Sequence, residues 1–161
     1  MKPVIILDTD VLNPVASPAS GGDLADLALP EATVSLVRRL ARCGQIAWVS
    51  TWPAESVARL ESPLQLDVAP LRVTLALHAS DNDEPTPKLR SVRQWLAKME
   101  LLGAADWDAV VWIDVSLGTD AREWARHHHQ PVLLEKPAPA QPLSEVHVVA
   151  VEVLVNHSPG G

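Results

Sequence analysis

The feature that most constrains the fold of this chain is a short apolar run near its start that ends on two aspartates. Residues 4–7 are all apolar, and Asp8 and Asp10 follow them two positions apart. A run of this length is typical of a strand that is buried on both faces of a sheet. Because open α/β sheets bind ligands at the carboxyl ends of their strands, we expect both aspartates to lie at such an edge. The pair Asn13-Pro14 predicts a turn just beyond them.

Two carboxylates so close together repel each other and need a cation or a shared proton between them. Mg²⁺ is the usual cation for a site rich in oxygen ligands. An aspartate next to Mg²⁺ can also attack phosphorus and form an aspartyl-phosphate. Taken alone, Asp8 and Asp10 fit an acidic turn after a core strand equally well, so both interpretations stay open at this point.

Strands and helices alternate along the rest of the chain, which predicts an α/β fold with a mostly parallel, doubly wound sheet. Strands are predicted over residues 3–8, 45–49, 71–77, 109–113 and 132–134, and helices over residues 31–43, 54–60, 88–101 and 119–126. Composition makes residues 14–30 a surface loop and residues 137–142 a linker. Residues 144–156 fit a helix capped by Ser144 or, because they are rich in valine, a strand. We favour the helix, which would cover a sheet face.

Composition narrows the class of protein. The 161 residues fit one domain, and the 47% of apolar residues can form a substantial core although Phe and Tyr are absent. The net charge of −7 argues against strong binding to nucleic acid. Cys43 is the single cysteine, so no internal disulfide can form, and no apolar run reaches the roughly 20 residues of a membrane span. Without a signal-peptide pattern, a cytoplasmic protein with no membrane partner is expected.

Polar side chains lie at the ends of three predicted strands: Asp8 and Asp10, Ser50 and Thr51, and Asp114. A further polar residue, Lys88, begins a predicted helix. Parallel strands run in one direction, so the residues that follow them converge on one crevice. An acid pair, a hydroxyl group, a lysine and a further acid form a consistent set for phosphoryl transfer, which requires positioning and charge neutralisation.

The order and spacing of these residues resemble the haloacid dehalogenase-like (HAD) phosphohydrolase superfamily, and in particular its small members associated with RNA repair. The four motifs of that family match residues 5–10, 49–51, 87–89 and 110–114, so the resemblance covers about residues 3–135. It implies a single domain over residues 1–161 with a three-layer Rossmann-like fold and a C-terminal tail over residues 136–161. The segments 14–30 and 61–87 are too short for a large cap domain, so a minimal cap and an open site are expected.

The resemblance also implies a role for each motif residue. Asp8 would be the nucleophile and a metal ligand, and Asp10 would be the general acid and then the base, with its backbone carbonyl on the metal. Asp114 would complete the Mg²⁺ site. The phosphoryl oxygens would be bound by Lys88 and by Ser50 or Thr51, of which the strand-end register favours Ser50.

The fourth motif departs from the family pattern in one position. Small members carry two adjacent acids there, whereas this chain has Val115 after Asp114. Asp120 lies too far along to replace the missing acid and is interpreted as a helix cap. The departure predicts weaker metal binding or slower turnover, and it keeps open a second function, a binding module of the same fold. A small phosphomonoester and the phosphate at a polynucleotide end both remain open as substrates.

Overall fold

The computed structural model describes residues 1–12, 15–16, 27–138 and 141–157. The chain folds into a five-stranded, all-parallel sheet with helices packed on both of its faces. This confirms the predicted α/β class and the three-layer, Rossmann-like arrangement. No helix among these residues combines the length and the apolar character that crossing a membrane requires.

The strands and helices follow the predicted alternation. In chain order the strands are β1 (Pro3–Asp8), β2 (Val15–Ala16), β3 (Leu27–Ala28), β4 (Gln45–Val49), β5 (Leu71–Arg72), β6 (Ala109–Ile113) and β7 (Val132–Glu135). The helices are α1 (Glu31–Cys43), α2 (Ala54–Glu61), α3 (Leu89–Leu101), α4 (Thr119–His127) and α5 (Glu145–Asn156). The sheet order is β5-β4-β1-β6-β7, and β2 pairs with β3 in a separate antiparallel ribbon.

Strand β1 lies at the centre of the sheet, and all six of its residues are buried. Ile5 and Leu7 face an apolar cluster that includes α1 and α5, whereas Val4 and Ile6 face a second cluster that includes α3 and α4. Successive side chains of a strand point to opposite faces, so a continuous apolar run is what a strand covered on both sides requires.

The register of β1 with its two neighbours decides which side chains meet at the carboxyl edge. Asp8 lies opposite Val49 of β4, and Leu7 lies opposite Ile113 of β6. Ser50 and Asp114 follow those partners, so both leave the sheet beside Asp8. The chain extends the sheet from β1 through β4 to β5 and then adds β6 and β7 on the other side. Asp8 and Asp114 therefore lie at the topological switch point, where such sheets bind ligands.

Two predicted elements differ from the structure. The strand expected over residues 71–77 ends as β5 at Arg72, because the chain turns away toward α3. The amide of Val73 still donates to the Trp48 carbonyl at 2.8 Å, but the amide of Ala76 donates to the Ser91 hydroxyl of α3. The segment expected to be a loop over residues 14–30 contains β2 and β3. The predicted Asn13-Pro14 turn lies outside the described residues, as do residues 17–26 of that loop.

The C-terminal segment is a helix, as favoured from the sequence. Helix α5 begins directly after Ser144 and packs on α1, where Arg39 makes ion pairs with Glu145 and Glu152, both at 2.5 Å. Val148 and Val151 are fully buried against the sheet side. Packing accounts for these two valines, whereas Val146, Val149 and Val153 of the same helix are exposed. Residues 139–140 of the predicted linker lie outside the described part of the chain.

Candidate active site

Three charged side chains meet at the carboxyl edge of the sheet. The Lys88 ammonium lies 3.2 Å from Asp8 Oδ2 and 3.1 Å from Asp114 Oδ2. Only 1% of Asp8, none of Asp114 and 8% of Lys88 is exposed to solvent. Buried charges persist only when they are paired, so these three residues depend on one another electrostatically.

Lys88 reaches this position because it immediately precedes α3. That helix buries Val92, Trp95 and Leu96 against one face of the sheet. Its packing directs the first turn toward the carboxyl ends of β1 and β6. The lysine comes from a segment 26 residues before Asp114, and the fold alone brings the two together.

Asp114 is held by donors on both of its carboxylate oxygens. Oδ1 accepts hydrogen bonds from the Ser116 amide at 2.9 Å and the Ser116 hydroxyl at 2.7 Å. Oδ2 accepts from the Trp112 indole N–H at 3.3 Å in addition to Lys88. These contacts fix the orientation of the carboxylate.

The sequence interpretation missed Ser116 and assigned Trp112 to the core or its rim. A signal for Trp112 was available, since it lies two positions before Asp114 in a strand and so points to the same face. A buried indole N–H also normally finds an acceptor. Nothing in the local sequence separated Ser116 from an ordinary turn serine.

Asp8 is much less well satisfied than Asp114. Its Oδ1 accepts from the Asp10 amide at 3.3 Å, whereas its buried Oδ2 has no donor in hydrogen-bonding geometry, although Lys88 lies near it. Burial and the nearby Asp114 raise the pKa of Asp8 to about 7, against the opposing influence of Lys88. Burial works against the charge on Lys88, but Asp114 and Asp8 outweigh it and raise the pKa of that lysine.

The raised pKa of Asp8 predicts a pH-dependent penalty on folding. The carboxyl group titrates near 3.8 when unfolded and at about 7 when folded. Its contribution to stability is therefore fully present below pH 3.8 and is lost as the pH rises through 7. We expect the unfolding free energy of Asp8→Asn to exceed that of the wild type by an amount that grows between pH 4.5 and 7, reaching on the order of 1–3 kcal/mol.

Urea unfolding of both proteins between pH 4.5 and 8, without divalent cations, measures this difference. The exposed Asp67→Asn substitution controls for the loss of one negative charge. A difference between Asp8→Asn and wild type that stays constant over this pH range would contradict the assignment of the penalty to Asp8.

The predicted hydroxyl site has one half-buried candidate, Ser50, and one exposed candidate, Thr51. The Ser50 hydroxyl lies 2.7 Å from the hydroxyl of the buried Thr9 and accepts a hydrogen bond from the Trp52 amide at 3.0 Å. Thr51 is exposed. A serine hydroxyl has one proton and two lone pairs. When Thr9 is the donor of the shared bond, the Ser50 proton remains free to bind a phosphoryl oxygen.

Asp10 lies in the 3₁₀ turn Thr9–Leu12 that follows β1, and its side chain is exposed. Across the described ranges, no three His, Cys, Asp or Glu side chains are gathered as a metal-binding group. Asp10 therefore does not join Asp8 and Asp114 as a third clustered carboxylate. Mg²⁺ usually binds one or two carboxylates and keeps several waters, so two carboxylates agree in number with what such an ion needs. Asp8 Oδ2 is the carboxylate oxygen without a hydrogen-bond donor, and its charged neighbour is the Lys88 ammonium at 3.2 Å.

The prediction that Asp120, beyond the fourth motif, caps a helix is wrong. Asp120 does not cap α4, because Gly118 is the residue before that helix and no side chain caps it. Asp120 instead accepts hydrogen bonds from the amide of Thr86 at 3.1 Å and from its hydroxyl at 2.5 Å. Val115 packs against the apolar cluster that includes α1 and α5. The residue in place of the second acid is therefore part of the core packing.

Comparison of the chain with protein-family models, with curated proteins and with solved structures finds no match in any of the three.

Proposed function

We propose that this chain is a Mg²⁺-dependent phosphomonoester hydrolase of the haloacid dehalogenase-like type, with Asp8 as its nucleophile. One observation carries the proposal. A lysine sits between two buried carboxylates at the switch point of a parallel sheet, and one oxygen of Asp8 is left without a hydrogen-bond donor. A raised pKa of a buried carboxyl group beside a specific charged partner is typical of a functional site.

In the first step of the proposed reaction, a carboxylate oxygen of Asp8 attacks phosphorus. The bond between phosphorus and the leaving oxygen breaks, and the Asp10 carboxyl group donates its proton to that oxygen. The product is an alcohol and an aspartyl-phosphate on Asp8. The Asp10 amide already donates to Asp8 Oδ1, so the two residues are connected through the backbone.

In the second step, the Asp10 carboxylate takes a proton from a water molecule, whose oxygen attacks phosphorus. The bond between phosphorus and the Asp8 oxygen breaks, which releases inorganic phosphate and restores the Asp8 carboxylate. Asp10 regains its proton at the same time. The exposure of Asp10 supports this role, because the residue must reach both the leaving group and solvent water.

The charge of the phosphoryl group is neutralised by neighbouring side chains. In this proposal Lys88, which lies 3.2 Å from Asp8 Oδ2, contacts a phosphoryl oxygen, and the Ser50 hydroxyl donates to another from the other side of β1. The carboxylates of Asp8 and Asp114 and the backbone carbonyl of Asp10 would hold Mg²⁺. When bound, Mg²⁺ offsets the negative charge collected at this edge of the sheet.

The substrate class stays open between a small phosphomonoester and a polynucleotide end phosphate. The net charge of −7 favours the small ester, since nucleic acid would be repelled. A second candidate function is a binding module that recognises phosphate but does not turn it over. The apolar Val115 in place of an acid favours that candidate.

The proposal is tested with purified protein, p-nitrophenyl phosphate, and oligonucleotides that carry a 3′- or a 5′-phosphate. We expect phosphate release that requires Mg²⁺, stops with EDTA and is absent from Asp8→Asn. A thermal shift with Mg²⁺ and phosphate but no release from any substrate would favour the binding module. Neither a shift nor a release would contradict both functions.

A further inference from the structure

A hydrogen-bonded clamp joins the turn before Lys88 to the segment after Asp114. Thr86 is buried, and its hydroxyl donates to Asp120 Oδ1 at 2.5 Å while accepting from the Gly118 amide at 2.7 Å. The Thr86 amide donates to Asp120 Oδ2 at 3.1 Å. The amide and the hydroxyl of Thr86 are thus both bonded to residues at the start of α4 or just before it.

The clamp is reinforced by close packing of the same two segments. A Cβ atom added at Gly118 would lie 2.6 Å from Pro85 Cβ and 3.0 Å from the Pro85 carbonyl oxygen. Only glycine allows this approach without displacing one of the segments. The Thr86 carbonyl also accepts from the Leu89 amide at 3.0 Å, which closes the turn that carries Lys88. The backbone on both sides of the lysine is therefore fixed.

We infer that Thr86 and Asp120 are positioning residues that hold Lys88 between Asp8 and Asp114. Neither residue touches the two site carboxylates, so they act through the backbone of the turn. A lysine side chain has large rotamer freedom, so two close contacts to its ammonium group require that the backbone of Lys88 be held in one position. Asp120 holds this backbone through Thr86, because its carboxylate accepts two hydrogen bonds from Thr86 and a third from the Ala121 amide at 2.8 Å.

This inference deepens the proposed function, since it assigns two further residues to the same site. Its geometric part can be tested without any enzymatic activity. The chain has four lysines, and the three besides Lys88, namely Lys2, Lys98 and Lys136, are exposed. Limiting amounts of acetic anhydride followed by mass spectrometry give the relative acetylation rate of each amine. In the wild type, Lys88 should react most slowly.

Thr86→Val keeps the volume of the side chain but removes its hydroxyl group. We expect this variant to raise the acetylation rate of Lys88 roughly fivefold to tenfold relative to Lys98 and Lys136, because a charge-assisted hydrogen bond is lost. Thr86→Ser, which retains the hydroxyl, should restore the slow rate. Thr33→Val is the matched control, since Thr33 is a buried threonine of α1 on the other side of the sheet.

A folded Thr86→Val whose Lys88 reacts at the wild-type relative rate would overturn the inference. So would an equal rise of that rate in Thr33→Val, because the effect would then reflect general loosening. If Thr86→Val does not fold, Asp120→Asn replaces it: it keeps the side-chain volume and removes the charge of the acceptor. The same rise is expected there, and a folded Asp120→Asn with no rise would likewise overturn the inference.

Measurements of phosphatase activity separate this inference from the proposed function. If the wild type hydrolyses phosphomonoesters, Thr86→Val should lower kcat about tenfold, and Thr86→Ser should recover it. A wild type without phosphatase activity would contradict the proposed function, but the acetylation rates would still decide whether the clamp positions Lys88.

Discussion

Replacing Asp8 by asparagine is expected to lower Mg²⁺-dependent phosphatase activity by at least about 10³-fold. An amide oxygen carries no full negative charge, so it cannot displace a leaving group from phosphorus. The substitution leaves the side-chain volume nearly unchanged and removes repulsion with Asp114 and Asp10, both of which raise the pKa of Asp8. The variant should therefore fold at least as well as the wild type. Initial rates of phosphate release at saturating Mg²⁺ measure the loss.

Two further variants test whether the loss of activity in Asp8→Asn is specific to the site. Asp10→Asn should also slow turnover, because it removes the proton donor and acceptor. Asp67→Asn, on an exposed residue that does not line the site, should retain the wild-type rate. An Asp8→Asn variant that is folded and as active as the wild type would exclude Asp8 as the nucleophile.

The largest effect on stability is expected from Lys88→Met. Methionine fits the buried path of the lysine side chain but leaves the carboxylates of Asp8 and Asp114 without their shared cation. Breaking a buried ion pair by removing one partner typically costs about 3–5 kcal/mol, and we expect a loss of this order at pH 8. The loss should be smaller at pH 5, because Asp8 has a folded pKa of about 7 and can then be protonated. Urea unfolding at the two pH values measures it.

A second substitution shows whether the uncompensated charge is the cause. Adding Asp8→Asn to Lys88→Met removes one of the stranded carboxylates and should recover a large part of the lost stability at pH 8. Lys98→Met, on the exposed side of α3, is the control for the change from lysine to methionine. Equal stability of Lys88→Met and wild type at pH 8 would show that the lysine does not compensate these acids.

The sequence by itself determined the central strands and the principal helices. Strands β1, β4 and β6 and helix α1 have the predicted boundaries, because an apolar run buried on both faces and a helical stripe of apolar residues are local patterns. Since β1, β4 and β6 are parallel, their direction also brought Asp8, Ser50 and Asp114 to one edge. The predicted roles of these residues stay predictions until activity is measured.

Only the tertiary structure decided which polar partners these residues have. Asp120 bonds Thr86 across 34 residues instead of capping the helix next to it, and Trp112 and Lys88 converge on one oxygen of Asp114. Strand β5 ends early because the chain beyond it turns toward α3, where the Ala76 amide donates to the Ser91 hydroxyl. A periodic pattern records how a segment buries apolar surface, whereas the periodicity of two distant segments does not record a hydrogen bond between them. The fold could therefore be predicted from the sequence, whereas the hydrogen bonds that hold the site residues in place could not.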